Sequence, residues 1–248
     1  MKRFICEAGI KNFIVIIIYL SFCLFSSIYM FAISELRNGL MALLFMCFVP
    51  LAIIAIQILK FKLVPAFTAL VFLLCAGGLS GTIYELYTKI SCFDTILHIM
   101  AGFIFAALGF SIMRHFVGKE NDKKIYFACL VFAICFSLAI ELVWELFEYS
   151  TTFIGFDMPE DTIVSNFSSY LLSGGHKEAM SVNNISQTIV YYNNGEKLVI
   201  NGYLDLGLID TINDMLVCVI GTIIFACLSI FGYYICPSIN NVLIPETI

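Results

Sequence analysis

Glu141-Leu142-Val143-Trp144-Glu145-Leu146-Phe147-Glu148-Tyr149 closes a mainly apolar run, Ile125 to Ile140, that is 16 residues long. A helix that crosses a membrane needs about 20 residues. If this segment spans a bilayer, its last turns carry Glu141, and Glu145 with it, into or against the hydrocarbon. Spacings of four and three put Glu141, Glu145 and Glu148 on one helix face. An acid at mid-bilayer costs roughly 2.5–3.5 kcal/mol on the insertion scale, and less near the surface. Something elsewhere in the chain must offset that cost.

Composition sets the class. Of 248 residues, 61% are hydrophobic and 12% charged, and the mean hydropathy is +0.98. That apolar share is far above a soluble domain's, so the chain reads as a multi-pass, all-α membrane protein. Ten cysteines raise a disulfide framework, but nearly all lie in or beside apolar segments, which points to free, membrane-embedded thiols. A net charge of −5 and the lack of a basic stripe argue against a nucleic-acid partner.

Six spans are expected, at about 12–33, 40–59, 65–85, 94–113, 125–148 and 210–235. The first follows Lys2, Arg3 and Lys11; it is too long for a signal-peptide core and reads as uncleaved. Pro50 predicts a kink in the second. In the third, Gly77, Gly81 and Glu85 recur every four residues, a small-residue face ending in an acid. Asp94 and His98 are i and i+4 at the start of the fourth, with Gly102 and Gly109 near their face. Asp210 and Asp214 open the sixth in the same way, and Gly221 continues that face. Residues 150–208 are polar. Gln187 to Tyr192, an Asn193-Asn194-Gly195-Glu196 turn and Lys197 to Ile200 predict a β-hairpin within a small extracytoplasmic cap.

Alternating loops place Lys2, Arg3, Lys11, Lys60, Lys62, Arg114, Lys119, Lys123 and Lys124 on one side. Arg37, Lys89, Lys177 and Lys197 fall on the other. The basic side is the cytoplasmic one, so both termini are expected inside. Glu85, Asp94, Glu141, Glu145, Glu148, Asp210 and Asp214, with His98, then gather at the outer ends of four spans.

Each residue has an ordinary reading. Asp94 and Asp210 suit helix N-caps, Glu85 pairs with Lys89 at i+4, and His98 suits an interhelical hydrogen bond. Trp144 and Tyr149 suit an interfacial aromatic belt. His115 and His176 lie in loops and receive no role. Jointly the ordinary readings weaken. Glu145 and Glu148 are not at a helix start, and no Lys or Arg lies in the outer halves of the spans. Crowded carboxylates cannot all ionise, which leaves shared protons or a bound cation. Oxygen donors with one imidazole suit Mg²⁺, Mn²⁺, Ca²⁺ or Zn²⁺. The expected ligands are Asp94, His98, Glu145, Glu148, Asp210 and Asp214, with Glu85 and Glu141 secondary, and Glu145 or Glu148 as general base.

Three stretches carry a resemblance. They are Phe93-Asp94-Thr95-Ile96-Leu97-His98 through Gly102, Trp144-Glu145-Leu146-Phe147-Glu148-Tyr149, and Gly207-Leu208-Ile209-Asp210-Thr211-Ile212-Asn213-Asp214-Met215 through Gly221. On these, residues 10–235 resemble the YjdF-like family of bacterial inner-membrane proteins. The Asp-x-x-x-His and final Asp-then-Gly helices are also similar, more weakly, to VanZ-type membrane proteins. The resemblance implies a multi-pass protein of the bacterial cytoplasmic membrane and supplies no reaction.

Two function classes fit. One is a metal-dependent hydrolase or transferase acting on a lipid headgroup or envelope precursor. The other is a proton- or cation-coupled transporter; a structural polar core is the plain alternative. Beyond membrane lipid, the residues name no substrate or oligomer. A transporter needs a polar path through the inner half of the bundle. No ionisable residue lies in the inner halves of spans four, five and six, which favours a one-sided site. For topology, the expected outcome is that a reporter fused after Ile248 is active only in the cytoplasm and one inserted within 150–208 only outside. Activity of the terminal fusion outside the cytoplasm would reverse the assignment.

Overall fold

The computed structural model describes residues 2–59, 61–62, 64–118, 122–154, 158–174 and 178–247. His176 and the loop residues Lys60, Lys119 and Lys177 fall outside them. The helices are α1 (Lys2–Ala32), α2 (Leu36–Phe45), α3 (Phe48–Leu59), α4 (Pro65–Ile83), α5 (Leu86–Lys89), α6 (Phe93–Val117), α7 (Lys123–Thr151), α8 (Leu208–Tyr234) and α9 (Pro237–Leu243). The strands are β1 (Phe61–Lys62), β2 (Thr162–Val164), β3 (Phe167–Ser169), β4 (Met180–Val182), β5 (Thr188–Tyr192), β6 (Glu196–Ile200), β7 (Tyr203–Asp205) and β8 (Glu246–Thr247). Among the described residues, six helical segments are long and apolar enough to cross a membrane: Gly9–Ala32, Leu36–Ala55, Pro65–Ile83, Phe93–Val117, Lys123–Ile154 and Leu208–Tyr234. The nine cysteines whose side chains are described are all free.

Local sequence explains where these helices stop. Gly9, with φ of 75°, breaks α1, and the apolar span runs on from there. The second span is interrupted at Met46–Cys47, ahead of Pro50 rather than at it. Proline has no N–H to donate, and its ring clashes with the carbonyl four residues earlier, which here belongs to Met46. The chain answers with three-residue turns, Cys47 N to Leu44 O at 2.9 Å and Val49 N to Met46 O at 3.2 Å. The third span ends at Ile83, short of Glu85, which takes a left-handed backbone with φ of 58°. Lys89 Nζ then donates to Tyr84 O at 2.9 Å, a cation at a helix C-terminus. For α7, the Asp122 carboxylate caps the start, accepting from Lys124 N at 2.7 Å.

The chain divides into two compact units, Met1–Leu142 with Asp214–Ile248, and Val143–Asn213. The first is helical and has two apolar centres. One, on α1 to α4, holds Ile16, Tyr19, Cys23, Phe72 and Leu79. The other, on α6, α7, α8 and α9, holds Ala106, Phe110, Leu130, Ala133 and Phe225. In the second unit β2 pairs antiparallel with β7, so the start and end of the polar insert meet. The pairs β3–β4 and β5–β6 are also antiparallel. The β5–β6 hairpin stands where the Asn-Gly signal predicts it. Glu196 belongs to the strand, opposite Tyr192, and the turn is Asn193, Asn194 and Gly195, all with positive φ.

The contact that sets the helix register is between α6 and α8. A Cβ on Gly102 would strike the backbone carbonyl of Cys218, and one on Gly221 would strike that of Ile99. Each helix presents a glycine to the other's backbone, so the two axes approach as closely as small residues permit. Gly78, by contrast, has open space, its nearest neighbour being Tyr87 Oη at 4.0 Å. Gly221→Ala is therefore expected to destabilise by about 1–3 kcal/mol, since backbone cannot yield as a side chain can. Gly78→Ala should be neutral or stabilising by up to about 1 kcal/mol. Denaturation of both variants in detergent checks this; equal effects would mean that the α6–α8 approach is not tight.

Candidate functional site

One turn before Gly102 on α6 is His98, and one turn before Cys218 on α8 is Asp214. The glycine contact brings these two positions to the same level. Asp94 adds a carboxylate one turn before His98, and Glu141 faces them from α7. His98, Glu141 and Asp214 are buried at 6%, 2% and 5% exposure, and Asp94 is half-buried. No Lys or Arg occurs in α6 before Arg114, in α7 after Lys124, or in α8.

Both imidazole nitrogens are engaged, in different ways. His98 Nδ1 lies 2.5 Å from Glu141 Oε1. The two atoms are within hydrogen-bond distance, and toward an ionised carboxylate the Nδ1–H donates. Nε2 faces two other carboxylates, Asp94 Oδ2 at 3.6 Å and Asp214 Oδ2 at 4.0 Å. Those distances are too long for hydrogen bonds. The ring thus turns Nδ1 toward Glu141 and Nε2 toward the two aspartates. Ligand atoms of Asp94, His98 and Asp214 all lie within 4.8 Å of one another, a grouping that can hold a metal ion.

One turn from His98 on α6 and from Glu141 on α7, and two turns beyond Asp214 on α8, is a hydroxyl layer. Ser137 of α7 is four residues before Glu141, and its Oγ donates to Gly102 O on α6 at 2.9 Å. Thr222 of α8 donates from Oγ1 to Ser137 Oγ at 3.0 Å. Gly102 O is itself exposed to this approach because Gly102 has no side chain. The layer joins the three helices that carry the site.

The other sequence candidates lie as follows. Glu145 is one turn beyond Glu141 on the same face of α7 and is 2% exposed; Glu148 is half-buried. Trp144 and Tyr149 are exposed. Asp210 is in the first turn of α8, where its Oδ2 accepts from Glu160 N at 2.7 Å. Glu85 is exposed and pairs with Lys89 Nζ at 3.1 Å, away from the buried set. Glu141, a secondary candidate by sequence, is the acid in direct contact with His98. The hydroxyl layer went unmarked in the sequence, although Ser137 at i−4 from Glu141 was the available signal.

The chain belongs to the family described as predicted membrane protein (DUF2238), whose model matches residues 12–234. No curated protein and no solved structure matches it. The family description agrees with the six apolar helices and carries no reaction.

Interhelical hydrogen bonds within membranes average about 0.6 kcal/mol and reach about 1.7. Thr222→Val keeps the side-chain shape and removes the one hydroxyl donor that Ser137 Oγ at 3.0 Å and Gly102 O at 3.3 Å share. It is expected to destabilise by about 0.5–1.5 kcal/mol in a detergent-denaturation experiment. Ser111→Ala serves as the contrast, because Ser111 Oγ bonds only within its own helix, to Ala107 O at 3.0 Å, and should change stability less.

Proposed function

We propose that Asp94, His98 and Asp214 bind a divalent cation, and that the protein is a metal-dependent hydrolase or transferase acting on a lipid headgroup or cell-envelope precursor. The observation that carries this reading is the environment of His98 Nε2. It faces two carboxylate oxygens at 3.6 and 4.0 Å while Nδ1 is held by Glu141. Two donors on one metal at about 2.1 Å stand about 3–3.5 Å apart, so side-chain shifts on the order of 1 Å or less bring both carboxylates to ligand spacing from Nε2. Glu141 then acts as the partner that fixes the imidazole tautomer and orientation, a usual arrangement behind ligating histidines. Hard oxygen and imidazole donors favour Mg²⁺, Mn²⁺, Ca²⁺ or Zn²⁺. A bound ion would supply Lewis acidity toward a phosphoryl or carbonyl oxygen.

Transport of protons or cations is the competing reading. Beyond the hydroxyl layer, α6, α7 and α8 fill with Ala106, Phe110, Leu130, Ala133 and Phe225, all buried. Among the described residues this apolar layer offers no polar path along the three helices, which supports a one-sided site. We also take the chain to be a YjdF-like protein of the bacterial cytoplasmic membrane, on the motifs at 93–102, 144–149 and 207–221. The basic-residue split supports cytoplasmic termini, an outward-facing site, and residues 150–208 as an extracytoplasmic cap.

Metal binding to a preformed site stabilises the folded state by mass action. Adding Mg²⁺, Mn²⁺, Ca²⁺ or Zn²⁺ to chelated protein in detergent is expected to raise its melting temperature. Asp94→Asn, His98→Ala and Asp214→Asn should abolish that rise, and His115→Ala should leave it intact. Glu141→Gln should weaken metal affinity by about 10–100-fold without abolishing it. If no ion shifts the wild type while Glu141→Gln raises its melting temperature, the cluster shares protons and the enzyme reading falls.

A further inference from the structure

The opposite end of α6 carries a different chemistry. His98 and Arg114 are 16 positions apart, which at about 1.5 Å per residue is about 24 Å along the helix. That approaches the thickness of a hydrocarbon core, about 30 Å. A cavity of about 530 Å³ lies there, between the end of α6, the start of α7, the end of α8 and α9. Arg114 and Lys123 line it, and no Asp or Glu is among the described residues that do. Asp94, Glu141 and Asp214 thus stand at one end of the three helices and these two cations at the other, where Asp122 caps α7 outside the cavity lining.

The walls are aromatic and fixed. Tyr126 stacks on Tyr233 with ring centroids 4.1 Å apart, and Phe110 meets Tyr126 edge-on at 5.1 Å. Tyr126 Oη donates to Ser229 O at 2.7 Å, and Asn240 Nδ2 donates to the same carbonyl at 3.2 Å. Lys123 Nζ lies over the Tyr234 ring, 5.8 Å from its centroid. Thus the cavity has a rigid apolar wall, amide and phenol groups that are already placed, and two positive charges at its rim. Basic and aromatic side chains together at a helix end are the signature of the membrane–water interface. A small free anion would use the two charges and leave the aromatic wall idle.

We propose that this cavity binds the phosphate group of an anionic phospholipid, with Arg114 and Lys123 pairing the phosphate and Tyr126 and Tyr233 packing against the glycerol and upper acyl chain. Guanidinium and ammonium groups both serve as phosphate partners, Arg as a fork and Lys as a point charge. Each basic residue near an anionic membrane surface is worth about 1 kcal/mol, which is about fivefold in affinity. Loss of both should lower lipid retention by on the order of thirtyfold.

The test is native mass spectrometry of full-length protein extracted from nanodiscs of phosphatidylcholine alone or of phosphatidylcholine with phosphatidylglycerol. The expected result is retained phosphatidylglycerol on the wild type, lost in the Arg114→Gln/Lys123→Gln double variant. The charge-preserving pair Arg114→Lys/Lys123→Arg should keep it, which separates binding from misfolding. Lys124→Gln, at an exposed neighbour that does not line the cavity, should also keep it. Equal retention by the double-Gln variant, or equal loss with Lys124→Gln, would overturn the site in favour of diffuse surface charge. Complete displacement of the lipid by millimolar inorganic phosphate would overturn the lipid assignment and leave a site for free phosphate.

Discussion

The close approach of α6 and α8 is the constraint on which the buried polar set depends. Gly102 and Gly221 each admit the other helix's backbone, and a side chain at either would push the axes apart. With the axes in contact, residues one turn before Gly102 and two turns before Gly221 come within reach. That is where His98 and Asp214 stand, at 4.0 Å between Nε2 and Oδ2. The same absence of a side chain leaves Gly102 O open to Ser137 and Thr222. A pair of glycines in a membrane helix interface therefore accounts for helix packing, carbonyl satisfaction and the meeting of an imidazole with an acid.

Much of this was legible before any coordinates. Apolar runs of about 20 residues mark spans because the bilayer demands that length, and the i, i+4 pairs Asp94/His98 and Asp210/Asp214 mark helix faces because the helix demands that period. What spacing cannot give is rotation and neighbour. Asp210 and Asp214 share a face by period, yet Asp214 meets His98 while Asp210 binds Glu160 N. Glu85 fits the Gly77–Gly81 stripe only if α4 continues, and a left-handed residue ends that continuity. Pro50 was a correct warning placed a turn late, since the steric conflict of a proline falls on the carbonyl behind it. The short strands β2, β3, β4 and β7 carry no alternating pattern and were invisible, whereas the Asn-Gly turn announced β5 and β6.

The three helices carry their polar groups in layers one to two turns apart. His98, Glu141 and Asp214 form one; Gly102 O, Ser137 and Thr222 form the next; then Phe225 and its apolar neighbours fill the interior. The order matters energetically. Buried charges are costly unless paired and hydrogen-bonded, and a dry layer behind them lowers the local dielectric and raises that cost. The acids stay in the membrane only if what compensates them comes from their own side, because nothing beyond the hydroxyls can solvate them.

That compensation has a definite sign. Three carboxylates around one imidazole carry excess negative charge even when the imidazole is protonated, and the three helices bring no Lys or Arg to that level. Two kinds of positive partner remain, protons and a metal ion, and they predict different geometry. A shared proton draws two oxygens, or an oxygen and a nitrogen, to hydrogen-bond distance, as between His98 Nδ1 and Glu141 Oε1 at 2.5 Å. A metal holds its donors apart, at the sum of two bond lengths opened by the coordination angle. On the other side of the same ring, Nε2 stands 3.6 and 4.0 Å from its two carboxylates. One histidine thus meets an acid at hydrogen-bond spacing on Nδ1 and two acids at wider spacing on Nε2, a grouping that can hold a metal ion.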